Sequence, residues 1–180
     1  MMNNRDTYSS LTHVARIRIE PYLAEYARCV FNTGRRDGAV RIPDTSDLYH
    51  LVYELMDKPR AGQRDPDDAN LSIVLPKRKI VPGGTVKSPE YYNHLSSNSA
   101  KLIEVYLRRR FNYEFHEMMI ENEERGRPIR QIDVVCRFLS DHSITSISED
   151  ALLQNFKRFR ARLRSKFVRK PEKKRKLKKV

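Results

Sequence analysis

Five apolar side chains at a strict four-residue interval, Ile103, Leu107, Phe111, Phe115 and Met119, constrain this chain more than any other feature. An interval of four drifts only slowly around a helix of 3.6 residues per turn, so all five share one stripe. The pattern therefore predicts a long helix. Ala100, Leu102, Tyr106 and Met118 widen its apolar face. The serines of Ser96–Ser99 offer N-caps, and the segment Glu124–Pro128 ends it. The rest of the chain has to pack along this rod.

The residues before it read as a small α/β unit spanning 13–95, after a flexible leader over 1–12. Ala15, Ile17 and Ile19 alternate with Arg16, Arg18 and Glu20, the pattern of a half-buried strand. Pro21 suits a first helical turn. Leu23, Tyr26, Ala27, Val30 and Phe31 then follow helical spacing, with Asn32 and Gly34 ending the run. Ala39–Pro43 reads as an edge strand, because Pro43 has no N–H to give to a ladder. Asp44 is the expected N-cap of a second helix carrying Leu48, Leu51, Val52, Leu55 and Met56, stopped by Pro59. Leu71–Pro76 reads as a third strand. The predicted order is β-α-β-α-β, and the fold class α+β.

After the long helix, two shorter helical patterns complete a helical region over 96–165. The first, Arg130–Asp141, carries Ile132, Val135, Cys136 and Leu139 inward. The second, Ser148–Ser165, carries Leu152, Phe156, Phe159 and Leu163. Ser146 or Ser148 caps it, and Ser146 with Glu149 fits a capping box. Ile144 and Ile147 point inward from the break between the two helices. The pair over 130–165 resembles a helix–turn–helix, the arrangement that lets a second helix enter the major groove.

Charge decides what such a pair would meet. Lys157–Val180 holds fourteen Lys or Arg and one acid, Glu172. Taking these from the chain's 36 basic and 23 acidic residues leaves 22 of each sign in positions 1–156. The excess sits at one end of a balanced body, which points to a polyanion. On a helical wheel the outer side of the last helix carries Gln154, Lys157, Arg158 and Ala161, with Asn155 and Arg164 nearer its edges; Arg162 is a further expected contact. Gln and Asn suit adenine, Arg suits guanine, and both basic residue types suit phosphates. Lys166, Arg169, Lys170, Lys173, Lys174, Arg175 and Lys176 extend the charge into a tail over 166–180 that is expected to be disordered when free. Lys77, Arg78, Lys79 and Lys87 form a second, smaller basic loop. Glu149 and Asp150 favour the helix macrodipole but oppose phosphate at the helix start.

Catalytic patterns are weak. The position four after His116 is Ile120, so the zinc-protease pair that His116-Glu117 begins is not completed. Gly83-Gly84 is followed by Thr85-Val86, which lacks the Lys of a phosphate loop. Tyr91 and Tyr92 lack the partners that a tyrosine nucleophile needs and read as packing residues. Cys29 and Cys136 are far apart, have no metal-ligand spacing, and are expected to be small buried hydrophobes in a reducing compartment. No apolar run approaches the roughly 18 residues of a membrane span. The expectation is a cytoplasmic protein, nucleoid-associated if it binds DNA, with no metal or other cofactor.

The segments Glu20–Gly34, Ile42–Met56, Pro89–Ser96 and Ser146–Leu163 resemble a family of small hypothetical proteins from prophages and mobile elements of Bacteroides-type bacteria. The resemblance implies a mobile-element setting and carries no functional residue onto this chain. The expected function is a non-enzymatic DNA-binding protein, a transcriptional regulator or an accessory factor of replication or transposition, with double-stranded DNA as partner. The alternatives are an RNA-binding protein and a protein-interaction module for a phage or host partner, the tail adding only non-specific charge.

Overall fold

The computed structural model of the chain describes residues 13–31, 38–77 and 86–167. Their elements run β1 (Val14–Ile17), α1 (Pro21–Val30), α2 (Asp47–Leu55), β2 (Leu71–Val74), α3 (Ser97–Glu124), α4 (Gln131–Asp141) and α5 (Glu149–Phe167). Mixed α and β content is as expected. The leader over 1–12, the helix stop at Asn32 and Gly34, Arg78, Lys79 and the turn at Pro82-Gly83-Gly84 lie outside the described residues. So does the tail from 168 onward.

Among the described residues the sheet has two strands, not three. β1 and β2 pair antiparallel, Val14 opposite Val74 and Ile17 opposite Leu71. The segment expected as an edge strand, Ala39–Pro43, contributes one parallel bridge, Val40 to Ile73. Val40 donates its N–H to Ser72 O at 2.9 Å and accepts from Val74 N–H at 2.9 Å. The next rung of a parallel ladder would need an N–H from position 76, which is Pro76. The proline that ends β2 thus limits its neighbour to a single bridge.

Local chemistry accounts for the helix ends. Pro21 opens α1, where its missing N–H costs nothing. Ser46, not Asp44, caps α2, its hydroxyl accepting from Tyr49 N–H at 3.2 Å. α2 ends at Leu55, before Pro59, because Met56 turns extended and Asp57 pairs with His94. Ser96 caps α3 by accepting from Ser99 N–H. α3 closes with Arg127 N–H bonded to Asn122 O at 2.8 Å, through Gly126 at φ 80° and Arg127 at φ 61°. Gly bears that left-handed turn at no steric cost.

α1, α2 and α4 all pack on α3. The five residues of its four-residue repeat are fully buried, and one apolar cluster runs continuously from Ala15 to Phe156 around them. Phe111 meets Tyr22, Tyr26 and Phe138 edge-on at 5.1, 5.4 and 5.3 Å between ring centres. Phe115 meets Phe156 edge-on at 6.4 Å and Phe138 at a tilt at 5.3 Å. Tyr26 places its hydroxyl on Glu114, and burial together with that carboxylate pushes its pKa well up. Leu102, expected to widen the inner face of α3, is instead exposed. In α4 the buried set is Val134, Val135, Phe138 and Leu139. Ile132 is only half-buried and Cys136 is exposed, contrary to expectation. Both cysteines face solvent rather than the core.

Candidate nucleic-acid interface

α4 and α5 do follow one another as a helix pair, and they pack on each other. The link, residues 142–148, is longer than the three- to four-residue turn usual in DNA-binding helix pairs. Ile144 is buried and Ile147 half-buried, as expected, so the link packs rather than loops freely.

An unexpected side chain holds this link in place. Glu25, on α1, accepts four hydrogen bonds from it. Thr145 donates its N–H at 2.9 Å and its hydroxyl at 3.1 Å. Ser146 donates its N–H at 3.1 Å and its hydroxyl at 2.9 Å. Partial burial opposes ionisation of Glu25, but the four donors outweigh it and hold the pKa below the usual carboxylate range. Ser146 is thereby committed to α1 and forms no capping box with Glu149. Ser148 is the cap of α5, its hydroxyl accepting from Ala151 N–H at 3.3 Å. Sequence periodicity gives no sign of Glu25, an acid on the half-exposed flank of an amphipathic helix.

The inner side of α5 is fixed as the pattern predicted. Leu152 and Phe156 are buried, and Phe159 and Leu163 half-buried. Phe159 stacks on His116 with ring centres 4.0 Å apart. Arg160 reaches Glu123 of α3 at 3.0 Å. Asn155 is not free to read a base. Its amide donates to Asn112 Oδ1 at 3.1 Å, and its oxygen lies 2.6 Å from His116 Nε2. It belongs to the α3–α5 contact, a correction to its expected role. Burial lowers the pKa of His116, Asn155 partly offsets this, and Arg162 adds to the lowering.

The outer side is different. Gln154, Lys157, Arg158, Arg162 and Arg164 are exposed, and among the described residues none of these four basic side chains has a carboxylate partner. Six arginines before α5 in the helical region are paired: Arg108 with Glu104, Arg110 with Glu114, Arg125 with Glu121, Arg127 with Glu123, Arg130 with Asp133 and Arg137 with Asp141; Arg109 on α3 is the exception among the described residues. Lys166 lies within α5, which extends to Phe167, two residues past the expected boundary of the tail. Arg169, Lys170, Lys173, Lys174, Arg175 and Lys176 lie outside the described residues.

Of the second basic loop, Lys77 and Lys87 lie among the described residues. Lys87 is engaged by its own chain. Its ammonium donates to Glu54 O at 2.6 Å and Met56 O at 2.8 Å, capping the end of α2, and lies over the Tyr92 ring. Lys77 is exposed, and its carbonyl accepts from the Tyr49 hydroxyl at 3.0 Å. Among the described residues no three His, Cys, Asp or Glu side chains gather as metal ligands, and no helix is long and apolar enough to cross a membrane. No family model matches the chain, and neither does any curated protein or solved structure.

Proposed function

We propose that this chain is a non-enzymatic DNA-binding protein in which the outer side of α5 meets duplex DNA. Lys157, Arg158, Arg162 and Arg164 are its contacts, with Gln154 as the neutral side chain able to address a base edge. The observation that carries the reading is the cluster of four such unpaired basic residues on one helix face, against α3 and α4, where Arg108, Arg110 and Arg137 are paired and Arg109 alone is not. Cations left without acids on a firmly packed helix are held at fixed positions, which suits repeated phosphate contacts. The further basic residues up to Lys179 add sequence-independent attraction. A regulator or accessory factor of a bacterial mobile element, nucleoid-associated in the cytoplasm, is the setting that accords with the family resemblance.

The test is duplex-DNA affinity of the full chain, of a chain ending at Phe167, and of the Lys157→Ala/Arg158→Ala variant. The truncated chain should bind more weakly with its sequence preference intact, and the double variant should lose that preference. Absence of duplex binding by every version at low salt would remove the proposal. Structured RNA outcompeting duplex DNA would move it to an RNA ligand.

A further inference from the structure

Each large apolar side chain that α3 leaves exposed lies on one stripe. Leu102 is 51 % exposed, Val105 41 % and Tyr113 65 %. Arg109 stands between them, one turn from both Val105 and Tyr113. The spacing keeps the four side chains on one face, roughly opposite the buried Ile103–Met119 row. Near the far end of α3, α5 covers the neighbouring sector through Asn112 and His116. Nothing among the described residues covers the stripe itself.

The charge on this stripe is specific. α3 has three arginines. Arg108 is held by Glu104 at 2.6 Å and Arg110 by Glu114 at 3.0 Å. Arg109, between them in sequence, is exposed and has no carboxylate or hydrogen-bond partner among the described residues. Tyrosine and arginine are the side chains enriched at interface centres, and here Leu102 and Val105 add apolar surface beside them. We infer that the Leu102–Tyr113 stripe of α3 docks an amphipathic protein segment whose apolar side covers Leu102, Val105 and Tyr113 and whose carboxylate pairs with Arg109. A second copy of this chain fits less well, because symmetric pairing on this face brings two Arg109 side chains together at its centre. Nucleic acid fits less well too. Two of the side chains are aliphatic, and Glu117, which accepts from the Tyr113 hydroxyl at 3.1 Å, closes the end of the stripe with negative charge. The inference does not depend on the DNA reading of α5.

The experiment titrates the full chain, by calorimetry and by amide chemical shifts, with a helical peptide of leucine and glutamate in an amphipathic pattern. Its leucine–lysine counterpart is the second probe. The expected result is saturable binding of the Leu/Glu peptide with shifts confined to 101–113. Arg109→Glu should weaken that binding at least tenfold and reverse the preference between the peptides. Leu102→Ala and Tyr113→Ala should each weaken it severalfold, and Arg109→Gln should lose the preference without reversing it. Thermal melts verify that the variants fold. Equal binding of both peptides, binding of neither, or an Arg109→Glu variant that binds like the parent would overturn the inference. Self-association of the chain abolished by Tyr113→Glu would assign the face to a second copy instead. Loss of duplex-DNA affinity on Arg109→Glu, matching that on Arg158→Ala, would assign it to nucleic acid.

Discussion

Asn155 on α5 sets its side-chain oxygen 2.6 Å from Nε2 of His116 on α3, and its amide also reaches Asn112. This residue holds the last helix to the rod. Asn155→Ala should therefore lower stability by about 1–2 kcal/mol, the cost of leaving a half-buried partner unpaired. Duplex affinity at a temperature where the protein is folded should hardly change. Urea denaturation and DNA titration of the same variant separate the two effects.

His116 makes stability sensitive to mild acid. Its folded-state pKa lies below the reference value of 6.5, chiefly through burial. Above that reference both folded and unfolded states carry a neutral ring and the group contributes nothing. As pH falls through it, the unfolded chain binds the proton first, so folded stability declines until the lower folded pKa is passed. The melting temperature should fall as pH is lowered from about 7, and His116→Gln should flatten that slope.

The clamp at Glu25 has the opposite origin and a lower window. Its pKa is depressed from 4.5 in the folded state, so its contribution is present above that value and is lost as pH falls through the folded pKa. Glu25→Gln should cost about 1–2 kcal/mol at neutral pH, modest because the carboxylate is partly exposed. Amide hydrogen exchange at Thr145 and Ser146 should accelerate more than exchange within α3.

Phe138 occupies the junction between Phe111 and Phe115, fully buried. Phe138→Ala should destabilise by about 3–5 kcal/mol, read from urea denaturation. Lys87→Ala should act through stability alone, costing about 1 kcal/mol by freeing the carbonyls at the end of α2. Its duplex affinity should equal that of the parent.

How far these features were legible in the sequence varies with how local their causes are. The α3 repeat spans enough turns to fix its own phase, and the inner side of α5, Leu152 to Leu163, shares that advantage. α4 is too short for this. Val135 and Leu139 fit two apolar stripes equally, one with Ile132 and Cys136, the other with Val134 and Phe138. Only the position of Phe111 and Phe115 on α3 selects the second. The edge strand failed because Pro76, more than thirty residues on, withholds a donor from Ile42, which no local reading of Ala39–Pro43 reveals. Asn155 lies at the margin of the outer side of α5, where a helical wheel does not say which neighbour arrives. Lys87 looked like a free cation because its acceptors are backbone carbonyls, which every residue carries.

The clamp on the α4–α5 link joins positions 120 and 121 residues apart in the chain. Contacts of such separation carry a loop-closure cost and raise the contact order, which slows folding. On the ribosome, Glu25 emerges long before Thr145 and Ser146 exist to meet it. A partly synthesised chain can assemble α1 against the first half of α3, but it has no means of orienting α5. The clamp that holds the link before the basic helix is thus available only once synthesis has passed Ser146.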